Sequence, residues 1–236
     1  MKKFMVLLCC IFLLTLLTQA GNAQAAEKGI SDLTAEIQRD AEQGNVEAQQ
    51  RLGVRYHQGI GAPKDYAKAM YWLKKSAEQG DVEAQAILGE IYNTGQGVPR
   101  DDVKAAQWFQ KSAEQGHPFS QSILGRMYFV GEGVPKDDAK AMHWYQKAAE
   151  QGDVVAQYDL GMMYHGGVSQ DDFESARWLQ KASEQGHARA QLMLGVSHII
   201  GRGVIRDKQR ACGLIRASAE QGDREAIKAY NDFCAR

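Results

Sequence analysis

Small and apolar residues recur every three or four positions along the chain, in paired stretches separated by glycine-containing turns. In one copy, the first stretch carries Ala84, Leu88 and Tyr92 at intervals of four, which places them on one face of a helix. A Gly-x-Gly turn follows, and Asp101 then offers a side-chain oxygen to cap a second helix. The pattern therefore predicts two antiparallel helices joined by a tight turn.

This helix pair repeats at a nearly fixed period. The word Glu-Gln-Gly closes each copy, and its glycines, which begin at Gly44 and end at Gly222, stand 36, 36, 36, 34 and 36 residues apart. A constant period of this length is typical of arrays whose units stack on one another. We therefore predict a capping helix, five repeats and a closing helix, within residues 26–44, 45–80, 81–116, 117–152, 153–186, 187–222 and 223–236.

Residues that recur between the copies are interpreted as structural. In the first helix they include the pairs Ala84-Gln85 and Leu88-Gly89. The mid-helix glycine costs about 1 kcal/mol of helix propensity relative to alanine, so we expect it to permit a close approach of the neighbouring helix. Two copies carry His117 and His187 where the others carry asparagine or aspartate. We interpret both histidines as helix N-caps, with a ligand role as the alternative.

The second helix of four copies contains a tryptophan, eight residues before the closing glycine. We predict that these residues fill the core, one in each unit: Trp72, Trp108, Trp144 and Trp178. The alternative is an aromatic ladder that stacks sugars or bases.

Residues 1–25 have the pattern of a secretory signal peptide. Met1-Lys2-Lys3 precedes an apolar run from Phe4 to about Leu17, and Ala23-Gln24-Ala25 offers a small-residue cleavage site. An uncleaved membrane anchor is the alternative, but it needs about 20 apolar residues. We predict cleavage near Ala25, a periplasmic or secreted bacterial protein, and no stable membrane insertion of the mature chain.

Charge and motif content argue against several function classes. Without Lys2 and Lys3, 26 basic residues face 29 acidic ones, so the mature chain has no excess positive charge for nucleic acid. The sequence contains no G-x-S-x-G, S-x-x-K or H-E-x-x-H motif, and its six histidines lack the spacing of a helical metal site. We therefore predict no catalytic residue, no metal, no cofactor and no enzymatic activity.

The recurring words resemble those of the Sel1-like repeat family, which is related to the tetratricopeptide repeats. They include Ala84-Gln85, Gly95-x-Gly97-Val98-Pro99, Trp108 and Ala113-Glu114-Gln115-Gly116. The resemblance implies an all-α solenoid, a right-handed superhelix of antiparallel helix pairs that acts in protein–protein contacts. Exported, cysteine-rich members of the family have been proposed as β-lactamases. They carry a cysteine pair in each repeat, whereas this chain does not.

Three functional hypotheses remain. The first is an exported, non-catalytic scaffold that binds an unidentified protein or peptide in the cell envelope. We expect this scaffold to be monomeric and to bind no nucleic acid. The second is a secreted factor that interacts with a host through the same surface. The third is a β-lactamase-like or cell-wall-active hydrolase.

Two cysteines remain after removal of the signal peptide. Cys212 stands ten residues before Gly222 and Cys234 twelve after it, so the turn between the last two helices places them opposite one another. An oxidising compartment permits a disulfide between them. Two buried free thiols are the alternative.

The variable face of the first helices is predicted to bind the partner. Its positions step by three or four residues and carry apolar, aromatic and charged side chains that differ between copies. We expect stacking of the first helices to unite them on a concave wall. The predicted binding residues are Glu83, Glu90, Asn93, Phe119, Arg126, Phe129, Tyr158, Met162, His165 and Arg189. The alternative is that these residues pack against the next repeat.

Overall fold

The computed structural model describes residues 32–166 and 170–235, and every regular element in these residues is a helix. The helices are α1 (32–42), α2 (Val46–Gln58), α3 (Tyr66–Glu78), α4 (Val82–Thr94), α5 (Asp102–Glu114), α6 (Pro118–Val130), α7 (Asp138–Glu150), α8 (Val154–Gly166), α9 (Asp172–Glu184), α10 (Ala188–Ile200), α11 (Lys208–Glu220) and α12 (Arg224–Phe233). The prediction of an all-α chain of repeated helix pairs is confirmed. The predicted signal peptide, residues 1–25, lies outside the described residues.

The chain divides into two compact units. The first extends to Ile91 and includes Gly95–Pro99, whereas the second comprises Tyr92–Thr94 and the residues from Arg100 onward. The first unit therefore contains α1, α2, α3 and most of α4. The second contains α5 to α12.

Side-chain caps determine where the helices begin. Asp81 Oδ1 accepts the backbone N–H three residues ahead at 2.6 Å, and Asp137 Oδ1 does the same at 3.0 Å. These bonds satisfy donors that have no partner within the helix. In α6 and α10 the cap is a histidine, and the Nδ1 atoms of His117 and His187 lie 3.3 and 3.2 Å from the corresponding backbone nitrogens. The interpretation of both histidines as caps is confirmed.

Glycine ends the first helix of most pairs. After α6, Gly131 has a φ of 84°, and its N–H donates to the carbonyl of Met127 at 2.8 Å. This left-handed conformation is strained for residues that have a Cβ atom, so glycine is favoured there. The chain then reverses direction and enters the second helix.

Helices α2 and α3 run in opposite directions, as two hydrogen bonds between their ends show. Ser76 Oγ, near the end of α3, donates to the carbonyl of Val46 at the start of α2, at 2.9 Å. The N–H of Asp65, just before α3, donates to the carbonyl of Tyr56 near the end of α2, at 3.0 Å. The equivalent turn bonds in the second unit measure 2.9 to 3.1 Å. The predicted antiparallel pairing is therefore confirmed.

The residue after each tryptophan position, or after Leu214 in the fifth repeat, is a large side chain that is buried in the core. These residues are Leu73, Phe109, Tyr145, Leu179 and Ile215, all between 0 and 2% exposed. Only one of the four tryptophans, Trp178, is fully buried, and the other three lie at the edge of the core. The prediction that every tryptophan fills the core was therefore wrong for Trp72, Trp108 and Trp144. Successive helical residues point about 100° apart, and in α3, α5 and α7 the residue after the tryptophan faces the core while the tryptophan lies beside it.

The mid-helix glycines make room for this same buried side chain. A Cβ atom on Gly53 would lie 2.6 Å from Leu73 Cγ. One on Gly195 would lie 2.6 Å from Ile215 Cγ1 and 3.1 Å from the carbonyl oxygen of Ala211. The expected close approach is confirmed, and the nearest group is a side chain with the helix backbone beside it.

Buried glutamines join the two helices of a repeat to each other and to the preceding repeat. In the second unit, Gln121 Nε2 donates to the carbonyl of Ala113 at 3.0 Å, and Gln121 Oε1 accepts from Gln151 Nε2 at 2.8 Å. Gln157 and Gln185 form the same side-chain bond at 2.9 Å. Because Gln121 is buried, both ends of its amide require such partners. This explains why the Ala-Gln and Glu-Gln-Gly words recur together.

A covalent bond joins the last two helices. Cys212 of α11 and Cys234 after α12 form a disulfide, with an S–S distance of 2.04 Å and a Cα–Cα distance of 5.5 Å. Cys234 also packs against a core cluster that includes Leu192 and Ile215. The bond therefore fixes α12 to the fifth repeat.

Candidate partner-binding site

Two of the predicted binding residues, Glu83 and Glu90, lie in the first unit. Both are exposed on α4. They line a pocket of about 420 Å³ together with Val54 and His57 of α2. The variable faces of these two helices therefore meet at one concave site.

Two exposed phenylalanines stand near opposite ends of α6 in the second unit. Phe119 and Phe129 are each 44% exposed. The ring of Phe119 meets the edge of the buried Phe109 ring, with a centroid distance of 6.2 Å. Large aromatic side chains that remain this accessible are typical of interaction sites, because they bury much area on contact.

Phe129 also forms part of a pocket of about 300 Å³. Met162 and His165 of α8 line the same pocket, so three of the predicted binding residues come together there. Tyr145 of α7 and Asp159 of α8 add polar groups to a lining that is mainly apolar. We call the surface formed by Phe119 and this pocket the α6–α8 surface.

The polar groups of the pocket form one hydrogen-bonded pair. The Tyr145 hydroxyl donates to the carboxylate of Asp159. Burial raises the pKa of Asp159 above its ordinary value of 3.8, while the bond from Tyr145 opposes this shift. Burial and the nearby Asp159 charge raise the pKa of Tyr145, so its hydroxyl remains a donor. The pair can therefore accept a hydrogen bond, or hold a cationic group, at the base of an apolar pocket.

The sequence analysis did not identify Asp159 or Tyr145 as site residues. Both nevertheless differ in chemical type from the residues at the equivalent positions of other repeats. The position of Asp159 is occupied by Arg51, Ile87, Ile123 and Met193 in the other copies. The residues equivalent to Tyr145 are leucine, phenylalanine or isoleucine, none of which has a hydroxyl. A carboxylate at a position that is apolar in three of the other four copies, opposite the one hydroxyl in its series, indicates a local function.

A neighbouring turn fixes the position of His165. Arg202 donates through one NH₂ group to the carbonyl of His165 at 2.9 Å, and its Nε contacts Asp172 Oδ1 at 2.6 Å. Burial lowers the pKa of His165, and the charge of Arg202 lowers it further. The imidazole at the edge of the pocket is therefore neutral at neutral pH.

Two further predicted residues form polar contacts within the second unit. Arg126 lies 2.9 Å from Glu132 Oε2, and both side chains are partly exposed. Asn93 Nδ2 donates to Asp102 Oδ1 at 3.4 Å. These contacts orient polar side chains near the edge of the α6–α8 surface.

The last two predicted residues contact the following repeat. The Tyr158 ring stacks on His187 with a centroid distance of 4.6 Å, and it packs against the core cluster around Leu194. Arg189 lies 3.6 Å from Asp223, a residue that caps α12. For these positions, packing between repeats explains the side chain at least as well as partner binding does.

No group of three or more histidine, cysteine, aspartate or glutamate side chains within 32–166 and 170–235 is placed to hold a metal ion. In the same part of the chain, none of the helices combines the length and the apolar character that crossing a bilayer requires.

Comparison with known proteins identifies the repeat. The family model for the Sel1 repeat matches residues 46–81, 82–117, 118–153, 154–187 and 188–223. No curated protein shows a significant match to the chain.

Two solved structures are similar over most of the chain. A protective antigen present in uropathogenic Escherichia coli strains, which displays an SLR fold, is 43% identical with a TM-score of 0.77; the match covers 80% of this chain and 41% of that protein. A Sel1 repeat protein from Oxalobacter formigenes is 32% identical with a TM-score of 0.76, covering 86% of this chain and 81% of that one. This chain thus spans less than half of the antigen's length.

The five matched segments account for most of the chain, and the glycines, glutamines and caps described above recur in each of them. Sel1 repeat proteins are generally scaffolds for protein interaction. By its repeats and by these similarities, the chain belongs to the Sel1 repeat family.

Proposed function

We propose that the protein is an exported, non-catalytic scaffold that binds a protein or peptide partner at the α6–α8 surface. The observation that carries this proposal is the exposed Phe129 beside an apolar pocket that contains the Tyr145–Asp159 pair. Aromatic side chains beside a pocket are typical anchors of protein interfaces.

The size of the pocket supports a peptide or protein partner. Its volume of about 300 Å³ lies at the small end of the range for small-molecule sites. A pocket of this size accommodates one large side chain of a partner, whose neighbouring residues would then cover Phe119 and Phe129. A basic or hydrogen-bonding group on that side chain would compensate the buried charge of Asp159.

Two features support export. The N-terminal pattern is that of a signal peptide. The Cys212–Cys234 disulfide suits an oxidising compartment, because intracellular thiols are kept reduced. We therefore place the mature chain in the bacterial periplasm or outside the cell.

Host interaction is a second candidate function. The observation in its favour is the 43% identity to a protective antigen of uropathogenic Escherichia coli, which covers 80% of this chain. This candidate requires the mature protein to leave the cell. Fractionation of the producing cells distinguishes the two, since a host-directed factor accumulates in the medium and an envelope scaffold remains in the periplasm.

Photo-crosslinking in the producing cells tests the proposed surface. A photoreactive residue at Phe129 is expected to capture one discrete partner. The same residue at Val103, an exposed apolar position of α5, is the matched control and is expected to capture none. Equal capture from both positions, or no capture from Phe129, would contradict the proposal.

A further inference from the structure

Two large apolar side chains protrude near the turn of the fifth repeat, one from that turn and one from the second helix of the fourth repeat. Ile205 is 88% exposed and Phe173, in the first turn of α9, is 68% exposed. Both line one shallow depression, together with Val204 and Arg210. They therefore form a single apolar patch on the second unit.

The repeat itself does not require these side chains. Ile205 stands where three other copies carry Pro63, Pro99 and Pro135. Phe173 stands where the other copies carry Ala67, Val103, Ala139 and Gln209. Since the other turns form with proline and mostly small or polar residues, the exposed isoleucine and phenylalanine serve something other than the fold.

The same turn carries a local excess of positive charge. Residues 201–210 contain four basic residues and one acidic residue, whereas residues 131–140 contain two basic and three acidic residues. Arg202 and Lys208 account for this difference equally, because Glu132 and Asp138 occupy their positions in that copy. Aspartate stands at the position of Lys208 in two further copies, as Asp102 and Asp172.

The contacts of these basic side chains leave most of the charge uncompensated. Arg202 is paired with Asp172 at 2.6 Å. Arg206 Nε donates to the carbonyl of Ile199 at 3.0 Å, and Arg210 donates to Gln180 Oε1 at 3.0 Å. Both acceptors are neutral, so these bonds orient the guanidinium groups without cancelling their charges.

A second depression extends the surface on the other side of the turn. Arg206 and Lys208 line it together with Phe233, which is exposed near the end of α12. His198 lines both depressions, so the two adjoin. We call the residues Phe173, Ile205, Arg206, Lys208, Arg210 and Phe233 the basic-apolar surface.

We propose that the basic-apolar surface docks the folded protein on an anionic lipid bilayer. Protruding apolar side chains enter the boundary between headgroups and acyl chains, while surrounding lysine and arginine residues interact with anionic headgroups. A protruding Ile205 needs no complementary cavity in such a partner, whereas a protein partner would have to supply one. The docking is peripheral and leaves the α6–α8 surface free to bind its own partner.

Vesicle flotation of the full mature chain tests this proposal. Vesicles of phosphatidylglycerol and phosphatidylethanolamine are compared with vesicles of phosphatidylcholine alone, at low and at physiological ionic strength. The protein is expected to float with the anionic vesicles only, and added salt is expected to release it.

Three variants restore the residues of other repeats, so their turns are expected to fold. Lys208→Asp is expected to weaken partition by about fivefold for each unit of charge lost. The double variant Phe173→Ala/Ile205→Pro lacks both protruding side chains and is expected to lose its binding to the anionic vesicles. Val103→Ala, which truncates the equivalent exposed side chain of α5, is the matched control and is expected to bind as the wild type does.

Four outcomes would overturn the proposal. They are absence of flotation with anionic vesicles, equal flotation with phosphatidylcholine, unchanged binding by the charge-reversed and apolar variants, and binding to soluble polyglutamate without binding to vesicles. The last result would assign the surface to an acidic protein. Circular dichroism spectra of the variants establish that any loss of binding is not a loss of fold.

Discussion

The space beside a single glycine determines whether an added methyl group stabilises or destabilises its helix. Gly195→Ala would place a Cβ atom 2.6 Å from Ile215 Cγ1 and 3.1 Å from a backbone oxygen. We expect this variant to lower the free energy of unfolding by about 1 to 3 kcal/mol, despite the higher helix propensity of alanine.

Gly213 of α11 provides the matched control, because a Cβ atom there would meet no heavy atom within 4 Å. Gly213→Ala is expected to raise the free energy of unfolding by about 0.5 to 1 kcal/mol. Urea denaturation measures both variants. Stabilisation by Gly195→Ala would contradict the close approach of the two helices.

Two adjacent aromatic residues of α5 are expected to differ in their contribution to stability. Phe109 is 1% exposed and contacts the core from the centre of the helix face, whereas Trp108 lies at its edge. Phe109→Ala is expected to cost about 3 to 5 kcal/mol, and Trp108→Ala about half as much. Urea denaturation of the two variants checks this order, and a larger loss for Trp108→Ala would contradict it.

Sequence alone could identify the helix face that packs in the core. It could not identify which aromatic residue lies at the centre of that face. Tryptophan was selected because it is large and recurs at a fixed place. Burial, however, depends on the rotation of α5 relative to the preceding helix, which a repeat period does not determine. The residues at the buried position differ between copies, from leucine to tyrosine, and this variation concealed their common role.

Helix boundaries, by contrast, follow from local chemistry. The aspartate caps, the glycine at the end of most first helices and the closing Glu-Gln-Gly word lie within a few residues of the bonds they make. Sequence analysis therefore predicted these elements well. The Tyr145–Asp159 pair joins α7 to α8 across tertiary space, and finding it requires knowledge of which repeat positions face one another.

The histidine cap of α10 is expected to make the stability depend on pH. His187 accepts a backbone N–H through Nδ1, so it must be neutral, and burial lowers its pKa below the ordinary value of 6.5. The unfolded chain thus binds the proton more tightly. The stability from this cap is full above about pH 6.5 and is lost as the pH falls through the lower folded pKa.

His187→Asn is the informative variant, because asparagine caps α2 at Asn45. The variant is expected to lose this part of the acid dependence while retaining a capped helix. Free energies of unfolding measured between pH 5 and pH 8 check this. Parallel profiles for wild type and variant would show that the cap does not titrate in this range.

At the scale of the whole molecule, the disulfide links α12 covalently to the second helix of the fifth repeat. The bond closes a sequence separation of 22 residues. Replacing both cysteines with serine is expected to lower the free energy of unfolding by about 3 kcal/mol.

Intact mass of the exported protein, alkylated with and without prior reduction, tests whether this bond forms in the cell. Alkylation is expected only after reduction. The same mass measurement reports the mature N-terminus, which is expected near residue 26. Two alkylated thiols without reduction would contradict the predicted disulfide.

The repeat period predicted the number and order of the helices because every copy supplies the same core, caps and turns. It could not predict which variable residues converge. Phe129, Met162 and His165 do meet at one pocket, whereas Tyr158 and Arg189 contact the following repeat. This difference depends on side-chain direction and on neighbours that lie a repeat away.

The central claim is that the α6–α8 surface binds a partner through the exposed Phe129, a side chain that the fold does not require. The most direct measurement compares Phe129→Ala with the wild type in affinity for the crosslinked partner and in free energy of unfolding. We expect affinity to fall about 30-fold, corresponding to about 2 kcal/mol, with a change in stability far below that of Phe109→Ala. Val103→Ala should alter neither quantity. Unchanged affinity, or unfolding as severe as that caused by Phe109→Ala, would contradict the account.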